Sequence, residues 1–432
     1  MRKSSARAVR LTAAIFGTAV VVSSAAPAAT GTAPSAVWRS RISVGHDTYV
    51  QSYYLANSDT TAILNEFNLT AALDGRSHGR TDHQWSLRAE VSGGSEVYRE
   101  QVDAGYRWRP DAGDPRLRAD VAWFGRQYRR SSDYSLTSDN QEGRAGLRIY
   151  PWLGRRAALD LRVAGRRVDF RVPSTLEQDF HEASAAGFLA SRGDVAGVWR
   201  IGLRAARRAY PDSTAIDRDT YAAEGELERG GEAGELWIFH RSERRLIADE
   251  TVRPSAWSHW TEISVAAPAG EGHLVADVTS EVWRYDAPTA VWFDSWRADA
   301  EVGYRWGDLL GDLWHALVTV ENLEAGDSPE AYTQVGLRGS LASYGHAVTG
   351  VVALEAGRRW YRGADSADST SEFDVLVDYS DFDYVELWIM ANWAFAARMS
   401  LELTASYQPE RHTEQDDDAA LGYASARLVW RP

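Results

Sequence analysis

Three groupings of residues have the types and spacing to do chemistry. His181, Glu182 and Ser184 set an imidazole, a carboxyl and a hydroxyl within one short stretch. Those are the parts of a hydrolytic nucleophile and its base, and they would make a surface hydrolase if Ser and His met on an outer wall. No second feature of the sequence supports that, and the same residues suit the polar face of a strand. His412 to Asp418 carries Glu414, Asp416, Asp417 and Asp418, oxygen donors suited to a divalent cation and equally to a solvated acidic loop. The third grouping is the largest. Arg118, Arg126, Arg162, Arg166, Arg200, Arg204 and Arg208 stand at even positions in three segments, and Glu224, Glu226 and Glu228 follow in the next. Arginine stays charged at any working pH, so such rows make a fixed field and not a proton relay. There is no Gly-rich phosphate loop with Lys, no G-x-S-x-G, no H-E-x-x-H and no EF-hand loop. The sequence assigns no catalytic residue, no metal and no cofactor, and predicts that the protein is not an enzyme.

The elements that must position these charges alternate with period two. Ala157 to Gly165 sets Leu159, Leu161 and Val163 against Asp160, Arg162 and Ala164, and Trp199 to Ala205 sets Trp199, Ile201 and Leu203 against Arg200 and Arg204. His83 to Val91, Leu117 to Trp123, Tyr221 to Leu227, Leu274 to Val282, Trp292 to Trp306, Trp314 to Val320, Val348 to Ala356 and Phe373 to Tyr379 keep the same habit. A helix cannot use that pattern, whereas a pleated strand with one dry and one wet face can. Clusters of Gly, Pro, Asp and Ser separate the segments, among them 74–81, 110–115, 230–234, 268–272, 307–312 and 363–371. Counting between breaks predicts about twenty strands, within a range of 16–22, an even number, with no connection longer than roughly ten residues. The stretch from Glu372 to Phe395 reads as one long strand or as two with a wet turn.

Arg2, Lys3, Arg7 and Arg10 precede an apolar core from Leu11 to Val22 and small residues around Ala26-Pro27-Ala28, the layout of a cleaved secretory signal over residues 1–28. The apolar run is well short of the roughly 20 residues needed to span a bilayer as a helix. Cleavage would remove four positive charges and no acids, moving the net charge from −14 to −18. So acidic a chain does not suit nucleic acid or an anionic membrane surface as a partner. With no cysteine, disulfides and thiolate metal sites are excluded. Residues 29–36 are small and polar and are expected to be disordered, with the strands occupying 37–432.

The last thirty-odd residues carry a family resemblance. Met399, Leu401, Leu403, Ala405 and Tyr407 alternate with polar residues, the acidic loop follows, and Ala420, Gly422, Ala424, Ala426, Leu428 and Trp430 alternate again. This resembles the closing hairpin of a bacterial outer-membrane β-barrel, whose final aromatic serves as an assembly signal; here Arg431 and Pro432 follow Trp430. The resemblance implies an all-β fold, a transmembrane antiparallel barrel in a Gram-negative outer membrane, with lipid, lipopolysaccharide and the barrel-assembly machinery as partners. Two near-identical hexamers, Asp103 to Trp108 and Glu301 to Trp306, put Tyr106, Trp108, Tyr304 and Trp306 at strand ends. By strand count these lie on the same side as Tyr150 and Trp430, as an interfacial aromatic girdle requires. TonB-coupled receptors carry a folded plug ahead of the barrel, and strands beginning near residue 37 leave no room for one. No repeat of forty to fifty residues supports a propeller.

The wet face sets the function expected. Arginines concentrate on the fifth, seventh and ninth strands, while Glu224, Glu226 and Glu228 on the tenth begin an acidic trend. Asp277, Glu281, Asp299 and Glu301 continue it, interrupted by Arg297 and Arg305. If they face inward, Arg118, Arg162, Arg166, Arg200 and Arg204 line one side of the lumen and Glu224, Glu226 and Glu301 another. Opposed rows of charge resemble those of general diffusion porins and predict a passive channel for small polar solutes. The alternative is a non-conducting structural, assembly or export platform whose lumen is filled by a partner or polymer.

Overall fold

The computed structural model describes residues 36–431 except 56–57, 78–81, 95–96, 110–115, 129–139, 152–156, 172–177, 192–196, 290, 309–310, 327–329, 346, 363–379 and 414–417, and backbone alone for strand residues 49–66 and 128. Twenty strands account for nearly all of it. They are β1 (Ala36–Leu55), β2 (Ser58–Ser77), β3 (His83–Gly94), β4 (Val97–Trp108), β5 (Leu117–Tyr128), β6 (Asn140–Ile149), β7 (Ala157–Phe170), β8 (Phe180–Ser191), β9 (Val198–Ala209) and β10 (Arg218–Gly231). The second half comprises β11 (Gly234–Ile247), β12 (Ala256–Ala269), β13 (Gly272–Tyr285), β14 (Ser295–Gly307), β15 (Asp312–Glu324), β16 (Tyr332–Tyr344), β17 (Val348–Tyr361), β18 (Phe382–Ala396), β19 (Met399–His412) and β20 (Ala419–Trp430). Among the described residues a single 3-10 turn, Thr214–Ile216, lies between β9 and β10. Among the described residues no helix is long and apolar enough to cross a membrane.

Each strand pairs antiparallel with the strands before and after it, and β20 returns to β1 from Ile42↔Trp430 to Tyr53↔Ala419. The sheet is thus a closed cylinder, which satisfies its backbone donors and acceptors without water. Beyond the pair Asn68↔Gly94, β2 has β1 as its only neighbour among the described residues. Strands of 10 to 20 residues meet or exceed the 9–11 that a tilted strand needs to cross hydrocarbon. The even strand number brings the start of β1 and the end of β20 to one rim, the terminal rim.

Side chains sort by parity. Val163 and Leu203 are 60% and 68% exposed on the outer face, where an apolar band meets lipid. Asp160, Glu243 and Glu355 are buried on the inner face. Where a barrel encloses charge and presents aliphatics outward, the usual hydrophobic core is absent, and the sheet itself separates the two environments.

The structure corrects three readings. The break at 74–81 begins too early, because β2 runs on to Ser77. Gly75 is not a turn residue there: a Cβ on it would collide with the Trp38 ring packed across from it. Trp292 precedes β14. The interval from β17 to β18, residues 362–381, is twenty positions long, twice the length expected of any connection. The segment Phe373 to Tyr379 lies outside the described residues, as do the signal and positions 29–35.

Candidate functional site: the charged inner wall

Register places arginines side by side. Arg107↔Arg118, Arg118↔Arg148 and Arg148↔Arg162 are direct cross-strand pairs from β4 to β7. The row continues through Ala186 to Arg204 on β9. Like charges directly opposite destabilise a sheet, and acids one step along the strands relieve this. Asp160 accepts from Arg148 Nε at 2.7 Å and from Arg162 Nη2 at 2.7 Å. Asp120 accepts from Arg118 Nε at 2.9 Å. One step further, Glu142 takes Arg144 and, at 2.6 Å, Arg166 Nε, while Glu182 takes Arg208 Nη2 at 2.6 Å. One acid against two arginines leaves both the Asp160 and the Glu142 clusters net positive.

Two phenylalanines complete this wall. Phe188, 2% exposed, lies under Arg162 and Arg200, whose guanidinium carbons are 4.6 and 4.8 Å from its centroid. Phe180 lies likewise under Arg166 and Arg208, at 5.1 and 4.1 Å. Such stacking holds a guanidinium without neutralising it. Gly202, directly across from Phe188, makes the space, since a Cβ there would strike the ring. A recess of about 630 Å³ opens over Gly146, Ala164 and Ser184 among Arg118, Arg144, Arg166 and Arg204.

On β10 to β15 the balance reverses. Glu226 receives Arg200 at 3.0 Å and the indole N–H of Trp237 at 3.1 Å. Glu262 and Glu281 take indole N–H donors, from Trp260 at 2.5 Å and Trp283 at 2.7 Å. An indole satisfies a carboxylate's hydrogen bonding and leaves its charge in place. Glu243 is bonded to Arg241 and Arg245, and Glu301 and Glu355 share Arg338. The Trp-x-Glu and Glu-x-Trp spacings were visible in the sequence as pairs sharing one strand face, and they are the signal that the reading of charges alone passed over.

The eight proposed lumen residues all share the inner parity, but they are not equivalent. Arg162, Arg166, Arg118 and Arg200 are ion-paired. Arg204 stands between Ala186 and Ala222 and has no ion-pair partner among the described residues. Glu224 approaches Arg241 at 3.8 Å. The His181 grouping is divided, because neighbouring residues of β8 face opposite sides: His181 points out, while Glu182 and Ser184 point in. Among the described residues no three His, Asp or Glu side chains converge as a metal site; Glu414, Asp416 and Asp417 lie outside them.

Tyr106 and Trp108 end β4, Tyr304 and Trp306 end β14, and Trp430 ends β20, all at the terminal rim and all exposed save half-buried Tyr304. Tyr304 donates to the Ala269 carbonyl at 2.7 Å and stacks on Trp306, which stacks on Trp314 across the ladder. At the opposite rim, outward Arg244 is bonded to Asp286 through both terminal nitrogens. That bond holds the Asp286 carboxyl below its ordinary range.

A closed antiparallel barrel with an apolar exterior and a charged interior is the architecture of bacterial outer-membrane β-barrel proteins, and this chain has that fold. The copper transporter OprC matches it with a TM-score of 0.58 and 8% identity, over 92% of this chain and 80% of that one. The siderophore receptor PirA from Pseudomonas aeruginosa matches with a TM-score of 0.52 and 10% identity, over 92% and 81%. PirA from Acinetobacter baumannii gives 0.51 and 6%, over 91% and 80%. No protein-family model matches the chain, and no curated protein matches it in sequence.

Proposed function

We propose that the chain is a passive, porin-like channel for small polar solutes across the Gram-negative outer membrane. One observation carries this reading. Charged side chains of the inner face are tied to the wall by partners on the same strand, the next or the next but one, as in Arg162–Asp160, Arg148–Asp160, Arg200–Glu226 and Arg338–Glu301. Charges held flat against opposed walls leave a bore between them, and low-dielectric walls focus their field along it. Lipid and lipopolysaccharide surround the aromatic rim and apolar band in this reading, and the closing strand ending at Trp430 engages the barrel-assembly machinery. Conductance of the purified protein in a planar bilayer tests the function. Steady open steps are expected. Folded barrel that never conducts would overturn the channel and favour a platform with an occupied lumen.

A further inference from the structure

The outer face of β11 and β12 breaks the apolar band. His240, Ser242 and Arg244 face outward on β11, directly across from Thr261, His259 and Trp257 on β12. Ile263 and Val265 continue the same face as exposed aliphatics. Polar groups on a wall that borders lipid are costly, and ionisable ones there call for a partner or a function. Here they form a chain. Thr261 Oγ1 is 2.9 Å from His240 Nδ1, His240 Nε2 is 3.0 Å from Ser242 Oγ, and Ser242 Oγ is 2.8 Å from His259 Nδ1. One set of tautomers that satisfies every link has His240 Nδ1–H donating to Thr261 and His259 Nδ1–H donating to Ser242. His240 Nε2 then accepts from the Ser242 hydroxyl. That is a nucleophile, a base and a group that orients the base.

A trough leads to this serine. A cavity of about 730 Å³ runs across the outer face from β7 to β12, with Ala185, Gly187, Ala205 and Ala223 as its floor and Leu203 and Tyr221 rising beside them. Ser242 and Arg244 line its end. The volume falls within the roughly 300–1,000 Å³ of small-molecule sites. Apolar along its length and polar at one end, it matches an acyl chain with an ester at its head. Arg244 spends two N–H donors on Asp286, which leaves three of the five on a guanidinium for an oxyanion or a phosphate.

We infer that Ser242, His240 and Thr261 form an acyl-transfer site that takes ester-linked acyl chains of membrane lipids from the outer wall. Ser242 Oγ attacks the ester carbonyl carbon while His240 Nε2 takes the hydroxyl proton. The tetrahedral oxyanion forms beside Arg244. Its collapse breaks the ester C–O bond, and the departing alcohol oxygen receives the proton from His240. Water then attacks the acyl-serine, giving its proton to His240. The Ser242 oxygen leaves and recovers that proton, so lysolipid and free fatty acid are the products. This site is independent of the bore and does not rest on the channel reading.

The test uses the full-length barrel in detergent, with folding checked by gel mobility before and after boiling. A fluorophosphonate probe should label Ser242, and labelling should vanish in Ser242→Ala. Fatty-acid release from long-chain lipid esters should fall at least about a hundredfold in His240→Ala, and less in Thr261→Val. Ala205→Trp, which fills the trough, should raise KM for long-chain esters far more than for short-chain esters. Folded wild-type protein that is neither labelled nor releases fatty acid would overturn the inference, as would hydrolysis that persists in Ser242→Ala. Equal turnover of long and short esters by wild type and Ala205→Trp would overturn the lipid assignment.

Discussion

At the scale of single residues, the inner wall distinguishes charges that hold structure from charges that act on the bore. Arg162 and Arg148 share Asp160, which is buried, so one of their two charges is offset beside them. Arg204, flanked by alanines, has no ion-pair partner among the described residues to cancel its charge. Arg204→Gln should therefore shift the reversal potential in a salt gradient toward cations more than Arg162→Gln does. The shift should shrink between 0.1 M and 1 M salt, as the Debye length falls from about 10 Å to about 3 Å; equal shifts from the two variants would refute the distinction. Asp160→Asn should instead act on stability. It leaves two guanidiniums without their acid, at a cost of about 1–3 kcal/mol measurable as a lower denaturation midpoint. The types and facing of these residues were legible from alternation alone. Their pairing was not, because Arg148–Asp160 and Glu142–Arg166 join different strands and depend on register. The same limit hid Ser242 and His259: they stand seventeen positions apart, and only the β11–β12 ladder makes them neighbours.

At the scale of elements, facing is the property most open to test. On β9, Leu203→Arg should put a charge into lipid at a cost of about 2–4 kcal/mol near mid-membrane. Arg204→Leu, one residue on, removes an unpaired charge from the inner face and should change unfolding free energy far less. Urea titrations giving equal or reversed effects would mean the facing of β9 is wrong. The sequence located this strand but ended it early: alternation stops at Ala205, whereas β9 continues to Ala209. Likewise β7 passes Gly165 and runs to Phe170. Ladders extend beyond the apolar band, and there both faces are polar, as at Arg166 and Arg167, so the period-two signal fades while the hydrogen bonds persist. Gly75 misled for a different reason. Glycine marks turns, but it also makes room for a neighbour's ring, and only the pairing with β1 tells which.

The whole molecule behaves as one closed sheet, and closure should be visible on a gel. Unboiled protein should migrate faster than boiled protein, because a cylinder with every strand paired resists detergent. Identical mobilities would refute a closed barrel. Deleting residues 419–432 should abolish the shift, since β1 and β19 would then both be open edges. The seam itself joins Ile42 to Trp430, nearly the full length of the chain. For a flexible chain, bringing those two ends together first would cost about 4–5 kcal/mol more closure entropy than forming the two-residue hairpin between β10 and β11. The seam therefore forms last, after nineteen sequential hairpin pairings have already drawn its edges near. Until then the growing sheet carries two sticky margins and has no inside, so everything the interior does begins in a single late step.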